Sequence, residues 1–169
     1  MIYTRLEGLA REAFDSLLAQ IKQEARRINP GKDFDKYDPV TGRVIEGELE
    51  IRPLLPEDLG LDAYTYSFSL TGALDTIVSK TVEASRVIGI YGVTDITTAP
   101  KLDQLNIVVG TKTVRQYPMA PVVGSDTKTV FFADPVMVSE TKTLKIQTHS
   151  SAATTEYITF LGLVAKPKD

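Results

Sequence analysis

The hydrophobic period of this chain changes once, and that change limits what it can fold into. Over the first 28 residues Leu6, Ala10, Ala13, Leu17, Ile21, Ala25 and Ile28 recur every three or four positions, the spacing that places side chains on one face of an α-helix. Leu9, Phe14 and Leu18 widen the stripe beyond a coiled-coil seam. Thr4 and Glu7 have the spacing of a capping box, and Arg26 and Arg27 stand where the helix dipole favours cations. Asn29-Pro30-Gly31 then stops the helix. Such a helix is about 37 Å long at ~1.5 Å per residue.

From residue 40 onward the period is two. Tyr64, Tyr66, Phe68 and Leu70 alternate with Thr65, Ser67, Ser69 and Thr71, the mark of a half-buried strand. Further strands are expected at 43–51, 76–82, 86–93, 105–109, 112–117, 128–133, 141–148 and 155–165. Turn residues punctuate them at Asp38-Pro39-Val40-Thr41-Gly42, Ala99-Pro100, Gly124-Ser125-Asp126 and Asp134-Pro135. Many short strands with no second helical segment predict a mainly β protein: an antiparallel β-sandwich with one long N-terminal amphipathic helix. The organisation expected is a helix or arm over 1–30, an acidic turn-rich linker over 31–42, and a sandwich domain over 43–169.

Several strands are apolar on both faces. Val87-Ile88-Gly89-Ile90-Tyr91, Val130-Phe131-Phe132 and Tyr157-Ile158-Thr159-Phe160-Leu161 direct large apolar groups both ways, whereas a sheet with one wet face alternates. At ~25 cal/mol per Å² of apolar surface, leaving such a face in water costs several kcal/mol. Either the helix or a second copy of the chain must cover it. The expectation is an extensive subunit interface, with Leu6, Ala13, Leu17, Ile21 and Ile28 as its interface residues.

Composition removes most chemistry. There is no cysteine, no tryptophan and a single histidine, and 19 Lys and Arg face 22 Asp and Glu for a net charge of -3. Thiol catalysis, iron–sulfur clusters and His/Cys zinc sites lack their ligands. His149 sits beside Ser150 and Ser151 in what reads as a polar loop, with no G-x-S-x-G turn to present a serine. Asp33, Asp35 and Asp38 invite comparison with a calcium loop, but Tyr37, Asp38 and Val44 fall where a ligand, the obligatory glycine and the final ligand belong. They read as a solvated turn, and Glu46, Glu48 and Glu50 as a wet strand edge. Gly89 and Gly92 lack a following Lys-Ser or Lys-Thr, so a bulge or close backbone approach explains them better than a phosphate cradle. Lys112, Arg115 and Tyr117 are too few to track a phosphate backbone. No catalytic residue, metal ligand, cofactor or nucleic-acid partner is therefore expected. Met1 to Leu9 lacks the apolar run of a signal peptide, and no segment nears the ~18 apolar residues of a membrane span. Synthesis in the cytoplasm is the corresponding expectation.

The Thr- and Val-rich strand pattern over 43–165, led by a helix, resembles that of viral single jelly-roll capsid and head-decoration proteins. The resemblance is one of pattern, and no motif transfers a functional position. It implies a jelly-roll-like sandwich serving as a non-enzymatic virion building block, tiling through its sheet edges and helix with copies of itself and with other structural proteins. Two other classes fit the same pattern. One is a carbohydrate- or ligand-binding module, with Tyr64, Tyr66, Tyr91 and Tyr117 as first suspects. The other is an enzyme whose site is completed across a subunit boundary.

Overall fold

A computed structural model describes residues 2–62, 66–119 and 128–169, with helix side chains from Gly8 onward. Helix α1 spans Ile2–Ile28. A small hairpin follows, β1 (Lys36–Asp38) with β2 (Arg43–Ile45), and then β3 (Leu49–Pro53) and a 3₁₀ turn at Pro56–Leu59. Eight strands complete the chain: β4 (Ser67–Thr71), β5 (Leu74–Thr81), β6 (Val87–Asp95), β7 (Leu102–Val109), β8 (Lys112–Pro118), β9 (Thr129–Val138), β10 (Thr143–Ser150) and β11 (Ala153–Pro167).

The eight pair as nested antiparallel couples: β4 with β11, β5 with β10, β6 with β9, and β7 with β8. A long two-stranded ribbon wrapped on itself gives this nesting. It leaves one sheet ordered β5-β10-β7-β8 and the other β3-β11-β6-β9, with β4 beside the first half of β11. That strand order is a jelly roll. The fold class read from the sequence is thus what the chain adopts. The innermost couple turns through two residues, Gly110 and Thr111, with Gly110 at φ 66° where a tight hairpin needs the glycine.

Alternation sets the core. Leu105, Ile107, Leu144 and Ile146 point inward from one sheet and meet Ile90, Phe132, Ile158 and Phe160 from the other. The outer face of the β5-β10-β7-β8 sheet is polar, with Ser79, Lys145, Gln147 and Asn106 among its side chains.

The outer face of the other sheet is apolar, and α1 lies across it, packed on β9, β6 and β11. Leu17, Ile21 and Ala25 form a second core with Val87, Leu163, Ala165, Leu49 and Phe34. Gly89 makes the seat: a Cβ there would overlap Leu17 Cδ1. Phe14 meets the edge of Tyr91 at 5.7 Å, and Tyr91 stacks on Phe131 at 6.4 Å.

This arrangement corrects the expected interface. Ala13, Leu17 and Ile21 are buried, and Ile28 partly so, within the protomer. The physical reason is proximity: the helix is tethered to the sheet it matches, so its stripe closes on that sheet before a second copy is needed. The side chain of Leu6 lies outside the described residues, as do those of Thr4 and Glu7. The two-faced strands therefore demand a cover and get it from their own chain.

Smaller differences concern the connection. Residues 31–42 carry β1 and the hairpin turn, and the strand expected over 43–51 is two strands parted at Glu46–Glu48. Gly47 passes so close to the backbone of Asp33 and Phe34 that no Cβ fits. The Gly124-Ser125-Asp126 turn lies outside the described residues.

Candidate interaction surface

No catalytic constellation forms among the described residues. His149 lies in β10 rather than in a loop, and its Nδ1 is 2.6 Å from Asp103 Oδ1 on the polar sheet face. Ser150 points to the other face, where its Oγ accepts the Gly72 amide. Ser151 Oγ donates to the Lys101 carbonyl, so neither serine serves the histidine. Of the three buried carboxylates, Asp58, Asp95 and Glu156, the last two are structural ties. Glu156 Oε1 accepts the Lys101 and Leu102 amides at 2.8 and 2.9 Å, joining β11 to the start of β7. Asp95 Oδ1 accepts the Thr97 amide and hydroxyl.

The charged cleft of about 240 Å³ between Arg52 and Arg86 is neutralised from within. Arg52 grips Asp58 through two 2.6 Å hydrogen bonds, while Lys80 and Arg86 share Glu83. Burial pushes the Asp58 carboxyl up, but Arg52 and the Leu55 amide outweigh it and hold the group below the usual range.

Of the four tyrosines expected as a ligand platform, three pack against the cores. Tyr66 is edge-on to Phe160 at 5.9 Å, and burial, with the Asp58 charge, pushes its phenol up to about 12. Tyr91 lies under the helix, where burial pushes its phenol up as well. Tyr117 leans on Phe132 at 4.9 Å with part of its ring exposed, and Tyr64 lies outside the described residues.

The feature the sequence reading missed is the β1–β2 hairpin. Its residues Tyr37, Val40, Val44 and Ile45 are 68%, 92%, 61% and 58% exposed, and its two strands pack chiefly on each other. Yet it is firmly built. The Val40 amide and the Thr41 hydroxyl donate to the Asp38 carboxylate, the Gly42 amide donates to the Asp38 carbonyl, and Gly42 takes φ 69°. The base is pinned by charge. Asp33 accepts Arg26 Nε at 2.7 Å and pairs with Lys36 at 2.5 Å, while Asp35 accepts Lys168 Nζ and the Gly47 amide, each at 2.8 Å. The Lys36 ammonium first, then Arg26 and the Phe34 amide, hold the Asp33 carboxyl far below the ordinary carboxylate range. The three aspartates compared with a calcium loop are thus the clamps of this hairpin. Its sequence signal was the Asp38-to-Gly42 turn with apolar residues on both flanks.

The second exposed feature is where the jelly roll stays open. β8 and β9 are edge strands of opposite sheets, and hollows of about 340 and 410 Å³ run between them. Val114, Val136, Met137, Tyr117 and Phe132 line them. Arg115 crosses the gap to Asp134, reaching both its carboxylate at 3.1 Å and its carbonyl. The Lys112-Arg115-Tyr117 trio is therefore part of this rim. No helix among the described residues is long and apolar enough to cross a membrane.

No family model matches the chain, and no curated protein matches it. Among the solved structures that match are structures of infectious bursal disease virus. The VP2 subviral particle gives a TM-score of 0.36 at 18% identity, covering 77% of this chain and 35% of that one. The structure of the Gx strain gives 0.32 at 16%, covering 77% and 34%, and that of the Gt strain 0.29 at 14%, covering 77% and 36%. The chain spans about a third of the length of each. Each match covers only part of a much larger chain, so function is argued below from the side chains of this protein.

Proposed function

We propose that this chain is a non-enzymatic structural subunit that assembles with copies of itself. The observation that carries the reading is the braced hairpin holding Tyr37, Val40, Val44 and Ile45 in water. A flexible loop would fold such side chains back, whereas a clamped hairpin keeps them presented, and apolar groups held outward mark contact sites. The pattern resemblance of the sequence adds the setting, a capsid or decoration subunit made in the cytoplasm and built into a virion beside other structural proteins.

Sedimentation velocity over a concentration series tests it. The unmodified protein sediments faster as concentration rises, and Val44→Asp, at an exposed position, keeps the fold and slows that increase. A native-like monomer at every concentration refutes the reading.

The cleft of about 300 Å³ bounded by Asp103, Gln104, Gln116, Tyr117 and Pro118 favours a second reading. Amides, a carboxylate and a half-exposed ring are the groups that bind a sugar, and the jelly roll serves lectins as well as capsids. Retention on a glycan array, lost in Tyr117→Ala, would favour it.

A further inference from the structure

We infer that the outer face of strands β10, β7 and β8 binds an uncharged glycan, laid across the strands on a field of side-chain carboxamides. The inference rests on the sugar-binding reading of the cleft beside Tyr117 and enlarges it, the cleft becoming one end of the site.

Register builds the field. Gln147 of β10 stands opposite Asn106 of β7, and Asn106 stands opposite Gln116 of β8. In the next outward row His149 stands opposite Gln104. Leu105, Ile107, Ile146 and Thr148, which alternate with them, are buried, so these side chains face solvent. At ~4.8 Å between strands the first row spans about 10 Å, and Gln104 extends it by ~7 Å along β7.

The gathering of one chemistry is what sets this face apart. The chain has seven Asn and Gln residues. Gln20, Gln23 and Asn29 belong to α1 and its end, and the other four are the four of this field. Solvation alone does not call for carboxamides here, since Thr, Ser and Lys meet that need at Thr76, Ser79 and Lys145 of the same sheet face. A carboxamide adds two donors and an acceptor on one rigid group. Much of that capacity is unspent. Gln104 Nε2 donates to Asn106 Oδ1 at 2.9 Å, which leaves the Asn106 amino group and the Gln104 oxygen available. Gln116 and Gln147 make no side-chain hydrogen bond with another described residue.

Charge then selects the ligand. The row Gln147-Asn106-Gln116 carries none, and His149 beside it is held by Asp103 at 2.6 Å. A phosphate backbone needs several cations on such a face. Sugar hydroxyls donate and accept as carboxamides do, and the partly exposed Tyr117 ring, in the cleft that Gln104 and Gln116 also line, gives a sugar ring an apolar face to rest on.

The probe is a printed array of neutral and sialylated oligosaccharides, read with the fluorescently labelled intact protein. Retention on neutral glycans is expected. Gln147→Ala and Asn106→Ala are each expected to weaken it about tenfold, as loss of one or two hydrogen bonds does, with thermal unfolding unchanged. Gln147→Thr, which suits a strand, replaces the alanine variant if that one melts early. Gln23→Ala, exposed on the helix, leaves retention as it was. Position 147 is two strands from Tyr117, so the two readings separate. Retention lost in Tyr117→Ala but intact in the 147 and 106 variants overturns the inference and leaves the cleft as a sugar site. Retention on sialylated glycans alone overturns it too, and an array with no retained glycan overturns both.

Discussion

Two glycines permit close approaches, one between the helix and its sheet and one between neighbouring strands of that sheet. A Cβ at Gly89 would meet the Leu17 side chain, and one at Gly162 would strike the carbonyl oxygen of Gly89. Side-chain tips give way more readily than backbone. Gly89→Ala is therefore expected to cost about 1–3 kcal/mol by overpacking, and less in a Leu17→Ala background, whereas Gly162→Ala costs more and is not relieved there. Urea denaturation of the four proteins in a double-mutant cycle reads the coupling. Glu156 offers a second check. Removing its carboxylate strands two amides at a buried strand junction, so Glu156→Ala is expected to cost roughly 2–6 kcal/mol at ~1–3 kcal/mol per unsatisfied donor. Glu156→Gln retains an acceptor oxygen and loses less, as thermal unfolding of the pair would show.

Among the elements, strands were legible because alternation is a local property. The buried Leu144, Ile146 and Thr148 fall where the period of two puts them, and α1 follows its three-and-four spacing. What covers what was not legible, because a stripe such as Leu17-Ile21-Ala25 carries no address. The sheet it matches is assembled from β6, β9 and β11, between 60 and 150 residues away along the chain. The hairpin was missed for a different reason: strands of three residues are too short to show a period, and only the turn between them was visible. Now that the stripe is placed, Leu17→Asp has a definite outcome. It buries an unpaired charge under the helix, so it is expected to lower the stability of the protomer itself, by about 3–5 kcal/mol in urea denaturation. The hairpin base gives a pH test. Asp33, Asp35 and Asp38 all titrate below the ordinary carboxylate value of ~3.9 when folded. A depressed folded value means their stabilisation is complete above that pH and is lost as pH falls through the folded values. The Leu49 amide, which donates to the Asp33 carbonyl, is expected to keep its hydrogen-exchange protection from pH 7 to about 5, and to lose it first on acidification towards pH 2. Early loss at neutral pH would contradict the charge clamp.

At the scale of the whole molecule, the jelly roll closes its interior with its own helix and leaves two kinds of surface unfinished, a braced apolar hairpin and an open sheet edge. A solitary protein gains nothing from holding four large apolar side chains in water at the end of a salt-bridged stem. The measurement that bears on this most directly is multi-angle light scattering of the unmodified protein across a wide concentration range. The account requires a mass above that of one chain, rising with concentration. A well-folded species of one-chain mass throughout would contradict it.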